Sequence, residues 1–381
     1  MLLQIDHSVV ELFNSNQDTE RDRISLGNLA LAQFEGSHRI FAKRDELKYL
    51  LQLPFLSPQH KAALTRAYQS VSQTGTLIYK VQTYGRVVAS VLEIPESTTE
   101  NDQRIITFPL QWFDRTERIQ PSVLLGEHLS DTEVYWLMGE VGALLATGGY
   151  LAIKADQWPG GGGASAAVLA HLAGLGKLCL CIADSDKASP TGSIGGTARA
   201  LQQFSNTTEF PLIELAATTG RDLENALPDS FYISRYSNHP KHSKISQLLG
   251  RLTDLEEYDI RSHIDIEKGL ALYDIWKCPT HAAERIFWID KLDTLLSAQG
   301  HSRDDFQCLT PECCFHEKRH ECECVVVEGN TSNILDDFTA LYPRKSPHTL
   351  KTTLDDSVRG EWERLGLIVA SWCCADDRVR I

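Results

Sequence analysis

The most regular patterning of apolar and polar positions lies in the middle of the chain. PSVLLG, residues 121–126, is a short apolar strand that ends at Glu127. Ser130 or Asp131 can cap a helix running through residues 134–145, and Gly148-Gly149 closes it, as glycines do at helix C-termini. Residues 150–154 read as a second strand, followed by four glycines at 160–163 and a helix over 164–175 with Val168, Leu172 and Leu175 along one side. Residues 177–183, KLCLCIA, form a third strand, apolar enough to be covered on both faces. It stops at Asp184-Ser185-Asp186. The order β-α-β-α-β with short connections predicts a parallel sheet with right-handed crossovers, to which residues 211–215 add a strand.

The flanks differ. In residues 1–118, helices are expected at 26–34 and 45–53. A third starts at Ser57-Pro58, with Ser as N-cap and Pro at the first helical position. Residues 76–83 and 86–94 read as a hairpin around Tyr84-Gly85, residues 96–103 as a loop and 104–112 as a strand. A small α+β domain that recognises a partner or substrate is the expectation. Beyond residue 240 the chain turns helical. Ile245, Leu248, Leu249 and Leu252 follow i, i+3, i+4, i+7 spacing, and residues 282–296 form a second strong helix. Residues 325–327 read as a strand, and 362–372 is apolar enough to pack back on a core. The predicted class is therefore α/β: a parallel-sheet core at 119–240, an α+β domain at 1–118, and a mostly helical region at 241–381.

Charge narrows the function. The formal net charge is −14 over 381 residues. A basic coat for nucleic acid is excluded, so a nucleic-acid enzyme would need metal ions and local cationic patches to meet phosphate. The N-terminus lacks a basic n-region and does not read as a signal peptide. The apolar stretches 134–153 and 164–183 are interrupted by Glu140 and glycines in one, and by His171 and Lys177 in the other, so neither reads as a membrane span. Ten cysteines without a secretory signal point to reduced thiols or metal ligands in a cytoplasmic protein.

Three acids carry the candidate chemistry. Glu127 follows the first strand of the β-α-β-α-β unit, and Asp184 and Asp186 follow the third; in a parallel sheet these ends share an edge. Carboxylates crowded there repel one another unless a cation lies between them, which suits Mg²⁺ or Mn²⁺ and phosphoryl chemistry. Asp131, one helical turn beyond Glu127, can reach the same cation or a second one. The glycine run at 160–163 is followed by no Gly-Lys-Ser/Thr, so ATP binding is not indicated. Gly192–Gly196 offers amides and hydroxyls to a phosphate, or is an ordinary turn.

A second cluster, Cys308, Cys313, Cys314, His316, His320, Cys322 and Cys324, is dense in ligands. Structural Zn²⁺ held by Cys308, Cys313, Cys322 and Cys324 is one reading, with Cys278 as a substitute ligand; buried thiols and a redox role are the others. Cys179 and Cys181 read as core strand residues, and Cys373-Cys374 as packing beside Trp372. A third feature, RYSNHPKHSK at 235–244, mixes cations with Tyr236 and reads as a nucleic-acid contact or a solvated loop. Lys187 and Arg199 lie nearer the acids and can meet phosphate.

VLLGEHLSDTEVY, GGYLAIKAD and LCLCIADSD together resemble a Toprim domain, the catalytic module of primases, topoisomerases and the overcoming-lysogenization-defect type nucleases. The resemblance covers residues 119–230. It implies that Glu127 acts as general acid or base and metal ligand, that Asp184 and Asp186 hold the metal, and that Asp131 fits a further acidic position. Arg221-Asp222-Leu223-Glu224-Asn225 is similar to the acidic stretch of stand-alone Toprim nucleases of phage defence, which adds Glu224. The chain departs from the pattern in reading Gly-Glu-His at its first motif. With no ATPase segment, topoisomerase tyrosine context or primase zinc ribbon, the resemblance implies the nuclease branch. The expected activity is metal-dependent cleavage of DNA or RNA, tRNA included, controlled by a regulatory protein partner or by homo-oligomerisation. Another Mg²⁺-dependent phosphotransfer enzyme and a catalytically inactive nucleic-acid-binding or scaffold subunit are the alternatives.

Overall fold

The computed structural model describes residues 1–149, 151–207, 210–240, 242–276, 282–306, 322–330, 333–343 and 347–379. It is a mixed α/β protein with parallel sheets and many helices, in two compact units. The first unit comprises Met1–Ile182, Leu201–Ala216 and Glu363–Ile381, the second Ala183–Ala200 and Ala217–Trp362.

The first unit opens with β1 (Leu2–Ile5), α1 (His7–Asn14), α2 (Glu20–Phe34), β2 (Arg39–Phe41), α3 (Arg44–Leu50), α4 (Pro58–Gln69), α5 (Val71–Leu77), β3 (Thr83–Val88), β4 (Glu96–Glu100) and β5 (Gln103–Pro109). These strands make a five-stranded sheet in the order β2-β1-β3-β5-β4, parallel except for the exposed edge strand β4. Ser57 caps α4 as expected, its Oγ accepting the His60 N–H at 3.2 Å. The hairpin expected at Tyr84-Gly85 is not formed: residues 71–77 are helical and β3 runs straight through the pair. Gly85 is there for packing. A Cβ at that position would stand 2.6 Å from Leu3 and 2.8 Å from Phe108, so only glycine lets the neighbouring strands' side chains close over the sheet.

The chain continues with β6 (Ser122–Gly126), α6 (Leu129–Thr147), β7 (Ala155–Pro159), α7 (Ser165–Gly174), β8 (Cys179–Ala183), α8 (Gly196–Thr207) and β9 (Ile213–Ala217). Here the expected alternation is present, in a four-stranded sheet of order β7-β6-β8-β9. β6 is parallel to both β7 and β8, in the register Val123↔Cys179, Leu124↔Leu180 and Leu125↔Cys181. Gly148 ends α6 in the left-handed conformation, φ 72°. The second strand lies at 155–159 rather than 150–154, on a sheet edge, where a strand needs no continuous apolar run. The apolar 151–153 segment instead meets the C-terminal segment, with Ile153 bridging Cys374.

The second unit is largely helical: α9 (Asp229–Tyr236), α10 (Ser243–Asp254), α11 (Tyr258–His263), α12 (Leu272–Trp276), α13 (Ala282–Ala298), α14 (Ile334–Leu341) and α15 (Pro347–Thr353), with a small antiparallel pair β10 (Gly269–Ala271) and β11 (Val325–Glu328). Ile245, Leu248, Leu249 and Leu252 are buried as their spacing predicted. The last helix, α16 (Asp356–Cys373), contributes its residues 363–373 to the first unit. No helix among the described residues is long and apolar enough to cross a membrane.

In the first unit α6 and α16 touch backbone to backbone. A Cβ on Gly142 would stand 2.5 Å from the Gly366 carbonyl carbon, and one on Gly139 would stand 2.6 Å from Val369 Cγ1. Gly142→Val is therefore expected to lower unfolding free energy in urea by about 1–3 kcal/mol or more. Gly360→Ala, at a site with open space around it, is expected to be neutral or slightly stabilising. Equal midpoints for Gly142→Val and the wild type would contradict this packing.

Candidate functional site

Glu127 belongs to the first unit. It is the first residue after β6, half-buried, and its backbone is fixed by the glycine run. Gly160 N–H donates to the Gly126 carbonyl at 2.7 Å and Gly161 N–H to the Glu127 carbonyl at 3.0 Å. A Cβ at 160 would stand 2.9 Å from the Gly126 carbonyl oxygen, and Gly161 and Gly162 take φ of 73° and 57°. The glycines thus serve a close backbone approach and left-handed turns beside Glu127. The Glu127 charge is felt on β8: the Cys181 thiol is pushed up to about 12 by burial first and by that carboxylate second. Cys179 is likewise buried and raised.

Asp131 is 5% exposed and holds the start of α6, its Oδ2 accepting the His128 N–H at 2.8 Å. Burial raises its pKa against the pull of that bond. The sequence offered Asp131 both as a helix cap and as a ligand of the same or a second cation; the structure shows the capping task.

The Asp-Ser-Asp turn lies in the second unit and is tied down by its middle residue. Ser185 is 1% exposed. Its N–H donates to Thr218 Oγ1 at 2.9 Å, its Oγ to the Gly220 carbonyl at 2.5 Å, and its carbonyl accepts the Gly195 N–H at 2.8 Å. Asp186 N–H donates to the Arg221 carbonyl at 2.8 Å. These bonds hold Asp186 in the left-handed region, φ 54°, a conformation that costs a non-glycine residue roughly 1–2 kcal/mol and that Asp tolerates better than most. The Asp186 carboxylate is exposed and lies over Gly195, where a Cβ would stand 2.6 Å from Asp186 Cγ. The glycine-rich 192–196 segment therefore makes room for an acid. Helix α13 secures the segment between them: Trp288 Nε1 donates to the Ala188 carbonyl at 2.7 Å, and Glu284 Oε1 accepts the Ser193 N–H at 3.3 Å.

Asp222 faces the same turn and escaped the sequence reading, which chose Glu224 two residues on. Burial is the main cause that pushes Asp222 up to about 7; Arg221 opposes it, and the charges of Asp265 and Asp186 add to it. Arg221 bonds Asp265 Oδ2 at 3.0 Å and stands 3.4 Å from Asp222 Oδ2. Glu224 is buried in the same short turn, its carbonyl accepting the Tyr232 hydroxyl at 2.8 Å. The turn hangs on Arg261, which is fully buried and donates to the carbonyls of Asn225 and Leu227 and to Asp229 Oδ1. The only local sign of Asp222's place was Asp-x-x-Asn: its N–H donates to Asn225 Oδ1 at 3.1 Å, while Asp265, whose charge acts on it, lies about 40 positions on. A cavity of about 260 Å³ in this unit is lined by Arg221, His263, Asp265, Lys268, Glu284 and Trp288, among others.

Among the described residues no group of three or more His, Cys, Asp or Glu is gathered closely enough to hold a metal ion. Asp222 feels the charges of Asp186 and Asp265, and these three carboxylates offer oxygen donors only, which suits a hard cation. Of the cysteine cluster, Cys308, Cys313, Cys314, His316 and His320 lie outside the described residues, as does Cys278. Cys322 and Cys324 are buried. The basic stretch is engaged locally: Arg235 pairs with Asp337 at 2.7 Å and Lys244 with Glu328 at 2.5 Å. Arg199 is tied to the Ile194 carbonyl at 2.8 Å.

Comparison with protein-family models, with curated proteins and with solved structures finds no match to this chain.

The raised pKa of Asp222 has a sign that can be checked. Between 3.8, its ordinary value, and about 7, folded Asp222 holds a proton that the unfolded chain has released. Stability therefore falls as pH rises through that window and levels off above it. In EDTA, Asp222→Asn is expected to gain stability relative to the wild type across the window, read from urea midpoints. A difference that stays constant with pH would contradict the assignment.

Proposed function

We propose that this chain is a Mg²⁺- or Mn²⁺-dependent nuclease that hydrolyses phosphodiester bonds of DNA or RNA, tRNA included, with a Toprim-like catalytic core. The observation that carries the reading is chain order on a sheet: Glu127 directly follows β6, Asp184 directly follows β8, and these strands are parallel neighbours. In open α/β sheets chemistry collects beyond the carboxyl ends of such strands.

In this reading Glu127, Asp184 and Asp186 would each offer the cation carboxylate oxygens, although no three such ligands are gathered around one point among the described residues. When bound, such an ion would supply charge to offset the phosphate and would lower the pKa of its water. The chain's own residues do the rest. Glu127, buttressed by Gly160 and Gly161, takes up or gives a proton. Ser185 keeps the Asp186 carboxylate presented outward. Asp131 and Glu224 enter as supports of α6 and of the 222–226 turn. A role as an effector of antiphage defence, switched on by a partner, follows from the resemblance alone.

The test is incubation of the purified chain with supercoiled plasmid, single-stranded DNA and tRNA, in Mg²⁺, Mn²⁺ or EDTA. Cutting is expected with either metal and none in EDTA. Glu127→Gln and Asp184→Asn are each expected to slow cutting by at least about a hundredfold with unchanged circular dichroism. A wild type inert in both metals, or variants that cut as fast as it does, would contradict the proposal.

A further inference from the structure

A group of cations with no acidic partner among the described residues lies far along the sequence from the acids of the candidate site, on the five-stranded-sheet part of the first unit. Two adjoining grooves flank α5. One, of about 460 Å³, is lined by Phe41, Lys43, Arg44, Ser72, Tyr79 and Lys80, among others. The other, of about 400 Å³, adds Arg39 and shares Thr76 and Lys80 with the first. No acidic residue lines either groove.

Three of the four cations are held by neutral groups. Arg39 Nε donates to Thr74 Oγ1 at 3.0 Å, Lys80 Nζ donates to the Ala146 carbonyl at 2.9 Å, and the Arg44 guanidinium lies 5.4 Å from the Tyr68 ring centroid. Lys43 is exposed. None of the four pairs with a carboxylate among the described residues. The acids next in sequence do not neutralise them: Glu46 is buried, accepts the Lys43 N–H and faces His7 at 3.3 Å, while Asp45 is exposed on α3. Elsewhere the chain pairs its cations freely, as Arg235 and Lys244 show. Against a net charge of −14, four cations without an acid mark a place where charge is to be met from outside.

We infer that these grooves bind single-stranded nucleic acid. Cations spaced along a furrow track a phosphate backbone. The accompanying ring selects among polyanions: Tyr79 is 83% exposed at the rim, where its open face can stack on a base. Ser72 and Thr76 add hydroxyls for phosphate or sugar. The inference deepens the nuclease reading by locating where substrate is gripped, and rests on it only for the identity of the ligand as substrate; binding itself needs no metal and no cleavage.

The experiment uses the full chain in EDTA, with a fluorescein-labelled oligodeoxythymidylate of roughly 20 nucleotides, followed by anisotropy at rising KCl. The wild type is expected to bind. Combining Lys43→Glu, Arg44→Glu and Lys80→Glu is expected to weaken binding at least about tenfold and to flatten the salt dependence, since each lost single-strand phosphate contact removes about 0.7 from the slope. Tyr79→Ala is expected to weaken binding about fivefold or more, with the salt slope unchanged. All four positions are exposed, and circular dichroism checks that the variants remain folded. No binding by the wild type, equal binding by the triple variant, an unaffected Tyr79→Ala, or binding to phosphatidylserine vesicles in place of the oligonucleotide would each overturn the inference. Oligonucleotide binding that is lost only in the groove variants, in a chain that never cuts, would leave this inference standing and sink the nuclease reading alone.

Discussion

The anchoring of Ser185 is the constraint on which the candidate site rests. One small buried side chain bonds the Gly220 carbonyl, while its own amide and carbonyl reach Thr218 and Gly195. Without those bonds Asp186 would relax from φ 54° to an ordinary conformation, and its carboxylate would leave the surface over Gly195. The turn is thus rigid because its middle residue is buried, and chemically available because its third residue is exposed. Serine fits this position because it is small enough to bury and brings its own donor and acceptor.

The 218–226 segment that receives these bonds is itself held from below. Arg261 carries a full charge into the interior and meets Asp229, the Asn225 carbonyl and the Leu227 carbonyl, so each of its three guanidinium nitrogens has a partner. Asn225 returns two bonds, to the carbonyls of Arg261 and Ile264. A buried ion pair adds little net stability over an apolar replacement, but losing one partner is costly, and the arrangement has few alternatives. Its consequence is positional: Asp222 is fixed close enough to Asp186 and Asp265 that their charges are felt, and its proton is retained toward neutral pH.

Local signals survived into the structure where they were self-contained. Ser57-Pro58 starts α4, Gly148 ends α6, and Glu127 and Asp184 directly follow β6 and β8. What failed depended on distant partners. Gly85 looks like a turn residue until Leu3 and Phe108 close over it from neighbouring strands. The edge strand β7 lacks an apolar run because one side of it is open, so its pattern pointed to residues 150–154 instead. Arg235 and Lys244, in the stretch read as a nucleic-acid contact or a solvated loop, pair with Asp337 and Glu328 roughly a hundred positions on in the chain. Burial of Asp222 is likewise invisible in a five-residue motif.

The central claim is that acids presented at these strand tips hold a divalent cation. The most direct measurement is Mn²⁺ binding by titration calorimetry on the uncleaving, nucleic-acid-free chain. The account predicts saturable binding that weakens at least about tenfold in Asp186→Asn and in Asp184→Asn, because each removes one anionic oxygen donor from a site with few. Equal Mn²⁺ affinity in the wild type and both variants, or no binding by the wild type, would contradict it.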